Sequence, residues 1–112
     1  FVRRLEAEEW LFREGETGRE MFVILQGTLR LMRGETELKR LGAGAYFGEM
    51  SMLLDAPRTA GAQAVDPDTQ VIAVSAANFD TLLRENPDLV RRMLREMAER
   101  VRTMNDRLAQ RP

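Results

Sequence analysis

The residues whose types and spacing suit chemistry lie in one stretch, from Tyr46-Phe47-Gly48-Glu49-Met50-Ser51 through Pro57-Arg58-Thr59-Ala60. Glu49 to Leu54 is an apolar, helix-compatible turn opened by Gly48. A helix start beside a glycine points free backbone N–H groups outward, and these together with the dipole favour an anion. Nine residues past Glu49 comes Arg58, positioned by Pro57. Its guanidinium is a planar, permanently charged fork of donors suited to phosphate. Thr59 adds a hydroxyl and Ala60 a backbone donor. A carboxylate beside an anion is repulsive, so Glu49 fits only as an acceptor for a sugar hydroxyl next to that phosphate. Donors for one phosphate and an acceptor for ribose describe a ribose-phosphate pocket. The plainer alternative is a surface ion pair between Glu49 and Arg58, worth ~0–1 kcal/mol. Ser51 reads as a residue satisfying a local backbone group, and no function attaches to Thr17 or Thr28.

The inventory excludes most catalysis. The chain has no cysteine and no histidine, which removes disulfides, thiolate chemistry, iron–sulfur clusters and the commonest metal ligand and general base. A binding protein with no metal and no cofactor is expected, and not an enzyme. A cupin-type jelly-roll enzyme, which needs histidines to hold its metal, fails on this count. No apolar run approaches the ~18–20 residues that span a bilayer, and Phe1-Val2-Arg3-Arg4 does not read as a signal peptide, so a cytoplasmic protein without membrane contact is expected. Net charge is −1, with nine basic and twelve acidic residues over 1–75 and eight and six over 76–112. That is no nucleic-acid footprint. The arginines from Arg91 to Arg102 are interleaved with Glu96 and Glu99 as on a solvated helix face.

The elements that must position the stretch are strands. All eight glycines lie at or before Gly61, and glycine at short intervals between apolar runs punctuates short strands. Met21 to Leu25 is a compact apolar strand; Thr28 to Arg33 alternates, with Leu29 and Leu31 on one face; Gly34-Glu35 turns into Thr36 to Leu41; Val71 to Val74 closes the series. Trp10 to Phe12 and Ala62 to Val65 are weaker strands. Seven or eight strands in this length predict a compact barrel or jelly roll.

The last third is helical. Ser75 can cap a helix carrying Phe79, Leu82 and Leu83, over residues 76–86. Asn86 as N-cap, Pro87 at the first helical position and Asp88 in the first turn then start a second helix. It runs without glycine or proline to Arg111, about 37 Å at 1.5 Å per residue. Val90, Leu94, Met97, Val101, Met104 and Leu108 repeat at heptad spacing, a seam suited to a partner helix. Leu89 and Met93 supply a second apolar edge for the helix's own domain. A homodimer through this helix is expected.

Phe47-Gly48-Glu49-Met50-Ser51-Met52-Leu53 followed by Pro57-Arg58-Thr59-Ala60 resembles the phosphate-binding cassette of the cyclic-nucleotide-binding domain family, of the catabolite-activator and cyclic-AMP-dependent kinase regulatory-subunit type. Phe12 to Gly27 is similar to that family's glycine-punctuated strand pair, and Asn86-Pro87-Asp88 with the long helix is similar to its terminal helix. The resemblance implies a mainly β fold: an eight-stranded β-roll over 1–75 with a short cassette helix, a short helix over 76–86 and a long helix over 87–111, all one domain of a larger protein. It implies that Arg58 pairs with the cyclic phosphate, Glu49 with the ribose 2′-hydroxyl, and that Gly48 admits the backbone. Met50 joins the ligand-binding set, and Thr59 and Ala60 donate to phosphate oxygens. By position, Met104 and Asn105 fall at the base-reading spots and Arg100 braces Glu49.

The expected function is a regulatory domain that binds a cyclic mononucleotide, cyclic AMP ahead of cyclic GMP, and relays binding through its terminal helix to a partner subunit or effector. The alternative is a dimerisation module of the same fold with no physiological nucleotide. The ends at Phe1 and Pro112 read as cuts, so the effector could be a DNA-binding domain (as in a transcription regulator), a channel, a kinase or another enzyme. The chain itself is not expected to bind DNA.

Overall fold

A computed structural model describes residues 2–110. Eight strands precede the last two helices: β1 (Val2–Leu5), β2 (Trp10–Phe12), β3 (Glu20–Gln26), β4 (Leu29–Arg33), β5 (Thr36–Leu41), β6 (Tyr46–Phe47), β7 (Gly61–Ala64) and β8 (Thr69–Ser75). The short helix α1 (Glu49–Leu54) lies between β6 and β7, and α2 (Ala76–Glu85) and α3 (Pro87–Ala109) follow β8. The strands form two antiparallel four-stranded sheets, in the orders β1-β8-β3-β6 and β2-β7-β4-β5. This is the expected β-roll. The chain divides into two compact units, one running to Ala77 and the other beginning at Asn78.

The first unit owes its core to β3 and β8. Met21, Phe22, Ile24, Val71 and Val74 are all buried, as a run covered on both faces requires. β3 and β8 each extend past the apolar run that announces them, to Glu20–Gln26 and Thr69–Ser75, because ladder pairing carries Glu20 opposite Ser75 and Gln26 opposite Gln70. Phe12, Phe22 and Phe47 come from three strands and meet with ring centroids 5.6–5.9 Å apart. Leu29, Ala62 and Ala64 complete the core from the second sheet. Gly27 takes φ +84, and a Cβ there would stand 2.4 Å from Thr69 Oγ1, so the β3–β4 turn admits only glycine.

In the second unit, α3 starts where the sequence signals it: Asn86 Oδ1 accepts a hydrogen bond from the Leu89 N–H at 3.4 Å, and Pro87 occupies the first turn. The helix ends at Ala109 with Gln110 as its C-cap, which shortens the expected span; Arg111 lies outside the described residues. Of the seam residues, Val90 and Met97 are half-buried, whereas Leu94, Val101, Met104 and Leu108 are 57–63% exposed. On the second edge Met93 is buried and Leu89 half-buried.

Candidate ligand-binding site

The cassette folds as its residues dictate. Gly48 adopts φ +82 as the N-cap of α1, in the left-handed region that costs glycine nothing, and Asp55 closes the helix at φ 54. The tight entry leaves first-turn N–H groups without helical partners. Within α1, Glu49, Ser51 and Met52 are buried, while Met50, Leu53 and Leu54 are about half exposed or more. Met50, expected in the ligand-binding set, is thus half exposed. The local backbone bond expected of Ser51 is not found among the described residues; its small side chain packs at 3% exposure.

Arg58 is the central feature. It is 5% exposed, and its backbone is clamped to the loop after β2: its N–H donates to the Glu16 carbonyl at 2.9 Å, and its carbonyl accepts from the Gly15 N–H at 2.8 Å. Nη1 donates to the Gly48 carbonyl at 3.3 Å, tying the guanidinium to the residue before Glu49. Among the described residues Arg58 makes no ion pair, and the charges that act on it are those of Glu20, Arg3 and Glu16. Burial of the guanidinium pulls its pKa below the usual arginine value; Glu20 and Glu16 act against that, and Arg3 with it. Glu20 is itself bound to Arg3 at 2.8 Å. A buried charge without a counterion is costly, and the fold retains one here.

Two glycines and two rings make room for it. A Cβ on Gly18 would stand 2.6 Å from Nη2 and 2.7 Å from Nε; one on Gly48 would stand 2.9 Å from Nη1 and 3.2 Å from the Glu20 carbonyl oxygen. The guanidinium carbon lies 4.2 Å from the Phe12 ring centroid and 5.6 Å from that of Phe22. Gly18 and Phe12 belong to this site but read in sequence as turn punctuation and core. Gly18 lacks the positive φ that would restrict it, so Gly18→Ala is expected to keep the fold and push the flexible guanidinium aside. The expected result is a thermal midpoint within a few degrees of the parent and nucleotide affinity about tenfold weaker, roughly 1.4 kcal/mol. Calorimetric titration checks it; unchanged affinity means the close approach is idle.

The other expected residues are more peripheral. Thr59 is exposed and Ala60 half-buried, and the Thr59 carbonyl accepts from Arg33 at 3.3–3.4 Å. Arg100, Met104 and Asn105 sit on α3 in the second unit, where all three are exposed. A separate surface hollow, lined by Trp10, Arg13, Glu14, Met32, Gly34 and Gly61, includes none of the expected ligand residues. Among the described residues, no helix is long and apolar enough to cross a membrane.

A buried arginine tied to the glycine that opens a short helix is an arrangement suited to an anion. The chain belongs to the cyclic nucleotide-binding domain family, whose pattern residues 2–86 match. It is 33% identical over 108 residues to the cyclic AMP receptor protein of Thermus thermophilus, covering 91% of this chain and 50% of that protein. It is 30% identical over 105 residues to a cGMP-dependent protein kinase of Toxoplasma gondii, covering 94% of this chain and 10% of the kinase. The crystal structure of the Thermus thermophilus catabolite activator protein superposes with a TM-score of 0.84 at 28% identity, over 97% of this chain and 53% of that one. The chain thus spans half or less of the length of these curated relatives.

Proposed function

We propose that this chain is a sensor module that binds a cyclic mononucleotide, cyclic AMP ahead of cyclic GMP, and passes the event on through α3. The observation that carries this is the buried Arg58 guanidinium, which has no ion-pair partner among the described residues and is tied to the glycine that opens α1. A phosphate supplies the missing charge. Glu49, one residue beyond Gly48 and 7% exposed, takes a ribose hydroxyl, while Thr59 and Ala60 donate to the phosphate. The preference for cyclic AMP draws on the likeness to the Thermus receptor. The reading calls for no catalytic step, metal or cofactor, and for a cytoplasmic setting in which DNA binding, if any, belongs to an attached domain.

Ligand stabilises whichever arrangement of α3 it contacts, to the extent of its differential affinity for the two states. The exposed stripe Leu94, Val101, Met104 and Leu108 suits a second copy of the same helix. Val101→Glu is accordingly expected to convert a dimer to a monomer in sedimentation velocity. A parent already monomeric at high concentration removes the dimer from the account.

Thermal denaturation with cyclic AMP, cyclic GMP or neither tests the sensor reading. At a hundredfold excess over Kd, linkage adds ~2.7 kcal/mol, and 1 kcal/mol moves a domain of this size by ~4–8 °C. The midpoint should climb by about 10 °C or more. No shift with either nucleotide at millimolar concentration favours the alternative, a dimerisation module without a physiological nucleotide.

A further inference from the structure

We infer that Phe12 is a positioning residue for the ligand: its ring face holds the Arg58 guanidinium in a buried setting, without an ion-pair partner among the described residues, from which it meets phosphate. The inference rests on the sensor reading above. A buried guanidinium needs some stabilising partner, and the described surroundings offer one carbonyl, that of Gly48 at 3.3 Å, and two aromatic faces. Phe12 is the nearer, with its centroid 4.2 Å from the guanidinium carbon against 5.6 Å for Phe22. The negative face of a ring attracts a cation without neutralising it. A carboxylate in the same place would hold the arginine more firmly but would have to be displaced by, or would repel, an arriving phosphate. The ring leaves the full positive charge for the ligand.

Phe12 is also fixed in place. It is 9% exposed and tilts against Phe22 and Phe47 at 5.8 and 5.9 Å, and the loop that follows it supplies both backbone bonds to Arg58. One side of the ring therefore belongs to the core and another lies under the guanidinium. Without that face the free guanidinium swings to water, and a ligand must pay to reseat it: apparent affinity falls with the fraction of molecules still competent.

The test replaces Phe12 with mono-, di- and trifluorinated phenylalanines, which keep the ring's shape while draining its negative face, and with leucine. Cyclic AMP and cyclic GMP affinities are measured by titration calorimetry, with thermal midpoints recorded alongside. Affinity is expected to fall stepwise with fluorination, by about tenfold at trifluoro and in Phe12→Leu, while the fluorinated midpoints stay near the parent's. Nucleotide binding that ignores fluorination shows that the ring only packs, and overturns the assignment while leaving the sensor reading intact. An unaltered protein that binds neither nucleotide overturns both. A second readout needs no nucleotide: the Arg58 side-chain protons should show ring-current shifts in the free protein that vanish in Phe12→Leu, and their absence from the unaltered protein also overturns the assignment.

Discussion

Replacing Arg58 with methionine should abolish most nucleotide affinity while leaving the free protein no less stable than its parent. The two effects have one cause. The guanidinium is 5% exposed and has no counterion among the described residues, and burial already works against its charged form. An apolar side chain of similar length removes that cost, as replacement of buried charges by hydrophobic groups often does. Binding loses a charge-assisted contact to phosphate, worth on the order of 2–3 kcal/mol, which corresponds to roughly 30- to 150-fold in Kd. Calorimetric titration and urea denaturation on the same preparation check both halves. A destabilised variant that still binds at parental strength would show Arg58 to be structural.

The largest loss of stability is expected at Phe22. Its side chain is 1% exposed, stacks on Phe47 at 5.6 Å with planes 26° apart, and tilts against Phe12 at 5.8 Å. Phe22→Ala opens a cavity at the meeting point of three strands, at a cost of ~3–5 kcal/mol. Against a total of ~5–15 kcal/mol for an ordinary domain, that is enough to leave part of the population unfolded. Urea denaturation should show a much lower midpoint, partly restored by saturating nucleotide through linkage. A loss under ~1 kcal/mol would mean that the cluster repacks and does not define the core.

Local chemistry made some of this legible in the sequence. Gly48 followed by an apolar turn gives α1, and Asn86-Pro87-Asp88 gives the start of α3, because caps act over three or four residues. Strands whose order is imposed from outside were hidden. β1 reads Val-Arg-Arg-Leu, with three exposed positions and one buried; it is a strand because β8 pairs with it from Val2↔Ile72 to Leu5↔Thr69. β6 is only Tyr46 and Phe47, held by Val23 and Phe22 of β3. In β4 the alternation that places Leu29 and Leu31 together does not foretell that Met32 is buried as well, after a register shift against β5.

The same division runs through the site. Glu49 and Arg58 stand out by type and spacing, but the setting of Arg58 is built by Phe12, Gly15, Glu16 and Gly18, all far from it along the chain. Nothing local marks Gly18 as the glycine on which a guanidinium rests, since its φ is ordinary. The heptad seam of α3 is plain in the sequence, and four of its members, Leu94, Val101, Met104 and Leu108, stand exposed on the single chain.

A crystal structure of the protein grown with cyclic AMP bears most directly on the central claim. The account predicts a phosphate oxygen within ~3.2 Å of an Arg58 guanidinium nitrogen, with a ribose hydroxyl on Glu49. A nucleotide bound elsewhere on the chain, with Arg58 still facing only Gly48 and the Phe12 ring, would contradict it.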